Sequence, residues 1–216
     1  TLQADQNIRI QAELELKKAE STPGFIGACL DIVIEPQVAD HVKTAAVVYL
    51  KNKVNRYWDP MTPVANPIEE EEKPVFRERL IPALVKVAPQ CRAVLVKVLN
   101  IIVARDFPER WPGLLDQTLA LFQASDIDST RAGLTCLLEM SKHYRWTSGE
   151  KRAGLDHLIA SSFDGVLNIG NSLINETSNT AGEMLKDILK IYKCATFHEL
   201  PKSLQDPKSL SQWATL

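Results

Sequence analysis

Glycine is scarce in this chain of 216 residues: nine are present, and none belongs to the G-x-x-x-x-G-K-S/T or G-x-G-x-x-G runs that cradle phosphates. Cysteine is scarcer. Cys29, Cys91, Cys136 and Cys194 are far apart, each inside an apolar helical pattern, which excludes both the close pairs of a zinc site and the density of a secreted disulfide framework. Free thiols serving as small core residues, in a reducing compartment, are expected instead. His41, His143, His157 and His198 lack a second histidine or carboxylate at the spacing of a motif such as H-E-x-x-H, so packing or surface roles are expected of them.

Neither sign of charge dominates. The 25 basic and 27 acidic residues leave a net charge of -2, which gives the whole chain no attraction for nucleic acid or an anionic membrane surface. No apolar run reaches membrane-spanning length, and the N-terminus lacks the regions of a signal peptide. No stretch alternates apolar and polar residues with β-branched enrichment, so no strand is expected. Without a phosphate loop, a serine elbow between strand and helix, or a credible cysteine nucleophile, we expect no enzyme, no cofactor and no metal. These absences leave a soluble, intracellular, all-α protein.

What is present is helical periodicity, organised around Arg105 to Leu115, RDFPERWPGLL. Before this stretch Val94, Leu95, Val98, Leu99 and Ile102 repeat at the spacing of a buried helix, and after it Trp111, Leu114, Leu115, Thr118, Leu119 and Phe122 do the same. Pro108 disfavours helical geometry at Phe107, and Pro112 suits the first turn of the next helix. The stretch therefore reads as a corner, with Phe107 and Trp111 sealing it.

Upstream, a first helix over about Asn7 to Glu20 gathers Ile8, Ala12, Leu16 and Ala19 on one face. A second carries Phe25, Ile26, Cys29, Leu30 and Val33, with Thr22 expected as its cap, Pro23 as its first residue and Pro36 as its stop. A third spans Ala39 to Tyr57, and its side opposite the apolar one is expected to be basic through Lys43, Lys51, Lys53 and Arg56. The loop Asp59 to Lys73, with Pro60, Pro63, Pro67 and the acidic run Glu69 to Glu72, reads as mobile surface. A fourth helix from Phe76 is expected to stop at Pro89.

Downstream, helices are expected over about Ser129 to Tyr144, capped by Asp126 or Asp128, through Leu155 to Leu167, over about Thr177 to Phe197, and from Pro207 onward. No capping box precedes the eighth, since Lys151 follows Ser148. Helix pairs begin near residues 5, 38, 90, 128 and 178, a period of roughly 40 to 50 residues that belongs to helical-hairpin repeats. Each pair is too apolar to stand alone, and stacking buries it.

With the helix RIQAELELKKAE, the third helix's AAVVYLKN from Ala45 to Asn52, and DFPERWP from Asp106 to Pro112, the chain resembles the N-terminal end of the importin-β (karyopherin-β) superfamily of nuclear transport receptors. The order of TPGF, VKTAAVVYLKNKVNRYW, DFPERWPGLL and SLSQWATL points to its importin-seven and importin-eight branch. The resemblance implies an α-solenoid, a right-handed superhelix of about five antiparallel HEAT pairs. The importin-β N-terminal domain would cover about 6–90 and further HEAT repeats 90–216. It implies binding of the GTPase Ran in its GTP form, protein cargo that is basic, such as ribosomal proteins or histones, nucleoporins, and shuttling between cytoplasm and nucleus, with no membrane and no direct nucleic acid. Lys51 and Asn52 match positions implicated in Ran contact in relatives, and Asp31, Arg77 and Gln117 are assigned more loosely, from their places on the presumed inner helices. Thr1 in place of methionine, and an apolar pattern that runs through Leu210, Trp213 and Leu216, suggest a segment of a longer chain with those three residues left uncovered.

Plainer readings exist beside these. Lys51 and Asn52 suit the last turns of a helix, where a cation complements the helix dipole. The glutamate run suits a solvated loop, with a lure for basic cargo as the sharper reading. Trp58, Trp111, Trp146 and Trp213 each lie near a helix end and are expected to anchor hairpin corners. An exportin, whose cargo binds together with Ran-GTP, or a HEAT scaffold with no GTPase partner, is the competing class.

Overall fold

The computed structural model describes residues 6–124, 126–149 and 152–216. Among these are ten α-helices: α1 (Gln6–Glu20), α2 (Phe25–Ile34), α3 (Asp40–Tyr57), α4 (Glu72–Lys86), α5 (Pro89–Asp106), α6 (Leu114–Gln123), α7 (Ile127–Tyr144), α8 (Arg152–Leu173), α9 (Asn179–Ala195) and α10 (Pro207–Ala214). No strand occurs among the described residues. Lys151, which denies α8 a capping box in the sequence, lies outside them.

The chain forms two compact units, residues 1–101 and 102–216. In the first, α2 packs on α3 and on α4; in the second, α6 packs on α7 and α8, α7 on α8 and α9, and α8 on α9. Helices two apart in sequence are thus neighbours as well as consecutive ones. That is how hairpins stack in two layers, each covering the apolar face its predecessor leaves open. The cores follow the sequence stripes: Ile26, Cys29, Leu30 and Val33 on α2, and Leu134, Leu137, Leu138 and Met140 on α7 are buried.

Helix ends differ from the sequence expectation where caps come from elsewhere. The residue before α2 is Gly24, in the left-handed region at φ 83°, which favours glycine. Its N–H is met by the Glu72 carboxylate at the start of α4, while Thr22 donates its hydroxyl back to Lys18 O of α1. Thr22 therefore does not cap α2, and Pro23 precedes its first turn. Pro89 opens α5 and does not stop α4; α4 ends at Lys86 and carries Pro82 inside it. Arg92 of α5 donates to Leu84 O and Val87 O at that end. Pro112 stands before Gly113, the residue preceding α6, so this helix starts later than expected. Asp126 caps α7 as expected, accepting from Ser129 N at 2.7 Å, and this bond holds its carboxyl below the usual range. Ser178 and Asp206 cap α9 and α10 in the same way.

The corner lies in the second unit. Asp106, fully buried, offers its backbone carbonyl to Arg110 N at 2.7 Å and Trp111 N at 3.0 Å. Its carboxylate faces Arg110 Nε at 3.1 Å. Phe107 and Trp111 are both buried, and the Phe107 ring meets His143 and Tyr144 of α7 edge-on at 5.7 and 5.6 Å.

Gly133 sets the crossing of α6 and α7: a Cβ there would stand 2.6 Å from the Phe122 ring and 3.3 Å from Leu121 Cβ. Gly133→Leu is expected to destabilise the protein by about 1 to 3 kcal/mol, the usual cost of overpacking, read from denaturant unfolding midpoints. A loss below the lower bound would show that the crossing yields freely.

Two expectations about ends are corrected. None of the α1 residues is buried: Ile8 and Ala19 stand exposed and Ala12 and Leu16 are half-buried, so its apolar face is only partly covered among the described residues. Trp213, expected to be uncovered, stacks on Tyr192 at 4.9 Å and packs against Phe163 at 5.1 Å. Leu216 lies against Gly170, while Leu210 is exposed.

Candidate interaction surface

The third helix is the polar centre of the first unit, and its lysines divide. The stripe Ala46, Val47, Leu50, Val54 is buried, and Lys43 and Lys53 fall on that same stripe, so both are buried as well. Lys53 is 5% exposed. Its ammonium donates to Glu20 O at 3.1 Å and Asn66 O at 3.0 Å, stands 3.9 Å from the Glu20 carboxylate and lies over the Tyr57 ring at 4.4 Å. Lys43 Nζ reaches Pro36 O at 3.5 Å. The expected basic side of α3 is thus reduced to Lys51, half-buried, and Arg56, exposed.

Lys53 also fixes the loop expected to be mobile. Asn66 is held through its carbonyl by Lys53 and through its amide by Ser21 Oγ at 3.0 Å. Ile68 is buried and its N–H bonds Tyr57 O at 3.1 Å. Lys73 is buried beneath the Trp58 ring and pairs with Glu70. The loop is a tied structure whose glutamates Glu69, Glu70 and Glu71 face outward.

Around the end of α3 a polar groove of about 360 Å³ is lined by Glu20, Tyr49, Asn52, Asn55, Arg56 and Tyr57, with Lys53 at its base. Asn52 is exposed there, and Lys51 is its neighbour in the chain. Asp31 is exposed on α2, but its carboxylate is joined to Arg79 of α4, a residue the sequence did not single out. Arg77 lies two positions before Arg79, which on a helix is nearly the opposite side. It is half-buried and already engaged. Gln117 belongs to the second unit, half-buried on α6, and its Oε1 is buried without a hydrogen-bond partner among the described residues. The structure therefore places Asn52 on the groove with half-buried Lys51 next to it in the chain, ties Asp31 to Arg79, and leaves Arg77 outside that pair.

The other buried cations are structural. Arg152 donates to Glu199 O at 2.7 Å and Ala195 O at 3.4 Å and faces the Glu199 carboxylate at 2.9 Å, satisfying carbonyls at the end of α9. Lys43, Lys73 and Arg152 each stand three residues before a buried apolar residue, namely Ala46, Phe76 and Leu155, a spacing that was visible in the sequence. All four cysteines are free and buried. Burial pushes Cys29 up to about 11 and Cys136 to about 12, and raises Cys91 and Cys194, so these thiols stay protonated at neutral pH and are poor nucleophiles.

The sequence is similar to those of known proteins along the whole chain. Residues 12–86 match the importin-beta N-terminal domain family. The chain is 35% identical over 99% of its length to the Saccharomyces cerevisiae protein named nonsense-mediated mRNA decay protein 5, and 27% identical over 97% to importin-8 of Mus musculus. It is also 25% identical over its full length to exportin-2 of Xenopus laevis. It covers 22%, 21% and 23% of these relatives, about a fifth of each. The solved structure of the exportin Cse1 in its cargo-free, cytoplasmic state superposes on 94% of the chain with a TM-score of 0.78 at 17% identity, which establishes the same stacked-helix HEAT fold. Residues 12–86 thus match the importin-beta N-terminal domain, and from end to end the chain is similar to the N-terminal part of importin-β superfamily members.

Proposed function

We propose that this chain is the Ran-binding segment of a nuclear import receptor, with residues 6–90 as its N-terminal domain and 90–216 as further HEAT repeats. The observation that carries the reading is the importin-beta N-terminal domain over residues 12–86 together with the importin-8 similarity across nearly the whole chain. Ran in its GTP form would meet Lys51 and Asn52 beside the α3 groove, with Asp31, Arg77 and Gln117 as further contacts. Since Asp31 is paired with Arg79 and Arg77 is engaged, a partner has to exchange those contacts, and Lys51 and Asn52 are the stronger pair. The mechanism is binding without catalysis. Cargo and Ran-GTP would be coupled through the longer receptor, and linkage makes the effect reciprocal: cargo weakens Ran-GTP binding by the factor by which Ran-GTP weakens cargo. Basic protein cargo, nucleoporin contact and shuttling between nucleus and cytoplasm belong to the same proposal.

The experiment is capture of Ran loaded with a non-hydrolysable GTP analogue or with GDP. Selective capture of the GTP form is expected, and equal or absent binding of the two forms would remove the Ran reading in favour of a scaffold. Lys51→Glu is expected to weaken Ran-GTP binding about tenfold or more, the scale of a like-charge contact at an interface, with the melting temperature unchanged because Lys51 is not part of the buried stripe. Unchanged affinity would exclude Lys51 from the contact. The exportin-2 similarity favours a second reading, export. Measured on the full-length receptor, cargo that strengthens Ran-GTP binding would support export, and cargo that weakens it would support import.

A further inference from the structure

Trp146 departs from the expectation that it anchors a corner: it is 66% exposed. Its ring meets Phe197, 40% exposed, at 4.7 Å and 71°, and His198 at 5.8 Å. Arg145, the residue that ends α7, lays its guanidinium over both rings, 4.8 Å from the centre of Trp146 and 4.2 Å from that of Phe197. Among the described residues Arg145 has no ion pair, and its buried Nε has no hydrogen-bond partner. The nearby carboxylates are committed elsewhere: Glu139 to Lys142, at 2.6 Å, and Glu199 to Arg152. A cation held over two exposed rings, with no counter-charge of its own, is arranged for an acceptor from outside.

We propose that Arg145, Trp146, Phe197 and His198 form a docking surface for an acidic peptide segment that also carries an apolar side chain. A carboxylate of that segment bonds the terminal nitrogens of Arg145, which the rings hold in one orientation. Its apolar side chain covers the exposed face of Trp146. Both parts are needed, because the surface offers an unpaired positive charge and bare aromatic area side by side. Large aromatic and arginine side chains are also the types that dominate interface energetics. Single-stranded nucleic acid, which stacks on aromatics beside arginine, fits less well. The rings stand edge to face and make no parallel platform, and the chain as a whole carries a net charge of -2. The surface belongs to the chain just after α7 and just after α9, both in the second compact unit, whereas Lys51 and Asn52 belong to the first.

The test is fluorescence anisotropy of the protein with a labelled glutamate-rich peptide bearing a central leucine. Saturable binding is expected, about tenfold weaker or more for Arg145→Gln and for Trp146→Ala. It should also weaken when the leucine is replaced by glycine or the glutamates by lysine. Trp146→Ala alters an exposed side chain, so it decides the matter should Arg145→Gln unfold, and thermal melts of both variants separate binding from folding. No saturable binding, equal binding by both folded variants, or equal binding of the leucine-free peptide would overturn the proposal. So would tighter binding of oligothymidylate, which would assign the surface to nucleic acid.

Discussion

Trp111→Ala is expected to cost about 3 to 5 kcal/mol of stability, the range for removing a buried tryptophan, and to lower the melting temperature by roughly 6 to 20 °C for a protein of this size. Trp111 closes the α5 to α6 corner from inside. It is 4% exposed and its N–H bonds the carbonyl of Asp106, which is itself fully buried. Phe107, four residues earlier, packs its ring against α7. Removing the indole leaves a cavity where α6 begins, which also loosens the packing of α6 on α7 and α8. Thermal unfolding followed by circular dichroism measures the loss. Partner binding should fall only in proportion to the unfolded fraction. A stable variant that no longer binds Ran would move the functional surface to the corner.

Lys53→Met is the second large effect, about 2 to 4 kcal/mol, because it keeps the aliphatic stem but deletes an ammonium that satisfies two carbonyls and faces a carboxylate. Its signature is local as well as global. The segment around Asn66 loses its tie to α3, so the Ile68 amide, bonded to Tyr57 O, should exchange with solvent faster than the α3 core. Hydrogen exchange read residue by residue tests this. Lys51→Met, two positions earlier on the half-exposed side, is expected to change stability by less than about 0.5 kcal/mol. Equal effects at the two lysines would mean that the ammonium of Lys53 is solvated.

The contrast between Lys51 and Lys53 marks the limit of reading the surface from sequence. Both are lysines in YLKNK, and counting them as one basic side ignored that Lys53 stands three residues after Leu50, on the apolar stripe. The same oversight hid Lys43, Lys73 and Arg152. Their spacing to buried neighbours was legible; the groups that neutralise them were not. The Lys53 acceptors lie 33 and 13 residues away in the chain, and the Arg152 acceptors 43 and 47 away. Trp146 and Trp213 were given the same role because both lie near helix ends. One stacks on Tyr192 while the other stands in solvent beside Arg145.

By itself the sequence determined the helices, their order, the period of their pairing and the family resemblance, because these depend on 3.6-residue periodicity, on proline and on residues adjacent in the chain. Even there, caps supplied from a distance went unread, as with Glu72 at the start of α2. Only the tertiary structure decided which cations are buried supports and which are free to meet a partner, and which aromatics are covered. A periodic pattern fixes a side chain's direction relative to its own helix axis. Whether a carbonyl, a carboxylate or water waits in that direction depends on segments brought there by folding, and that difference separates a lysine that holds the fold from one that can bind.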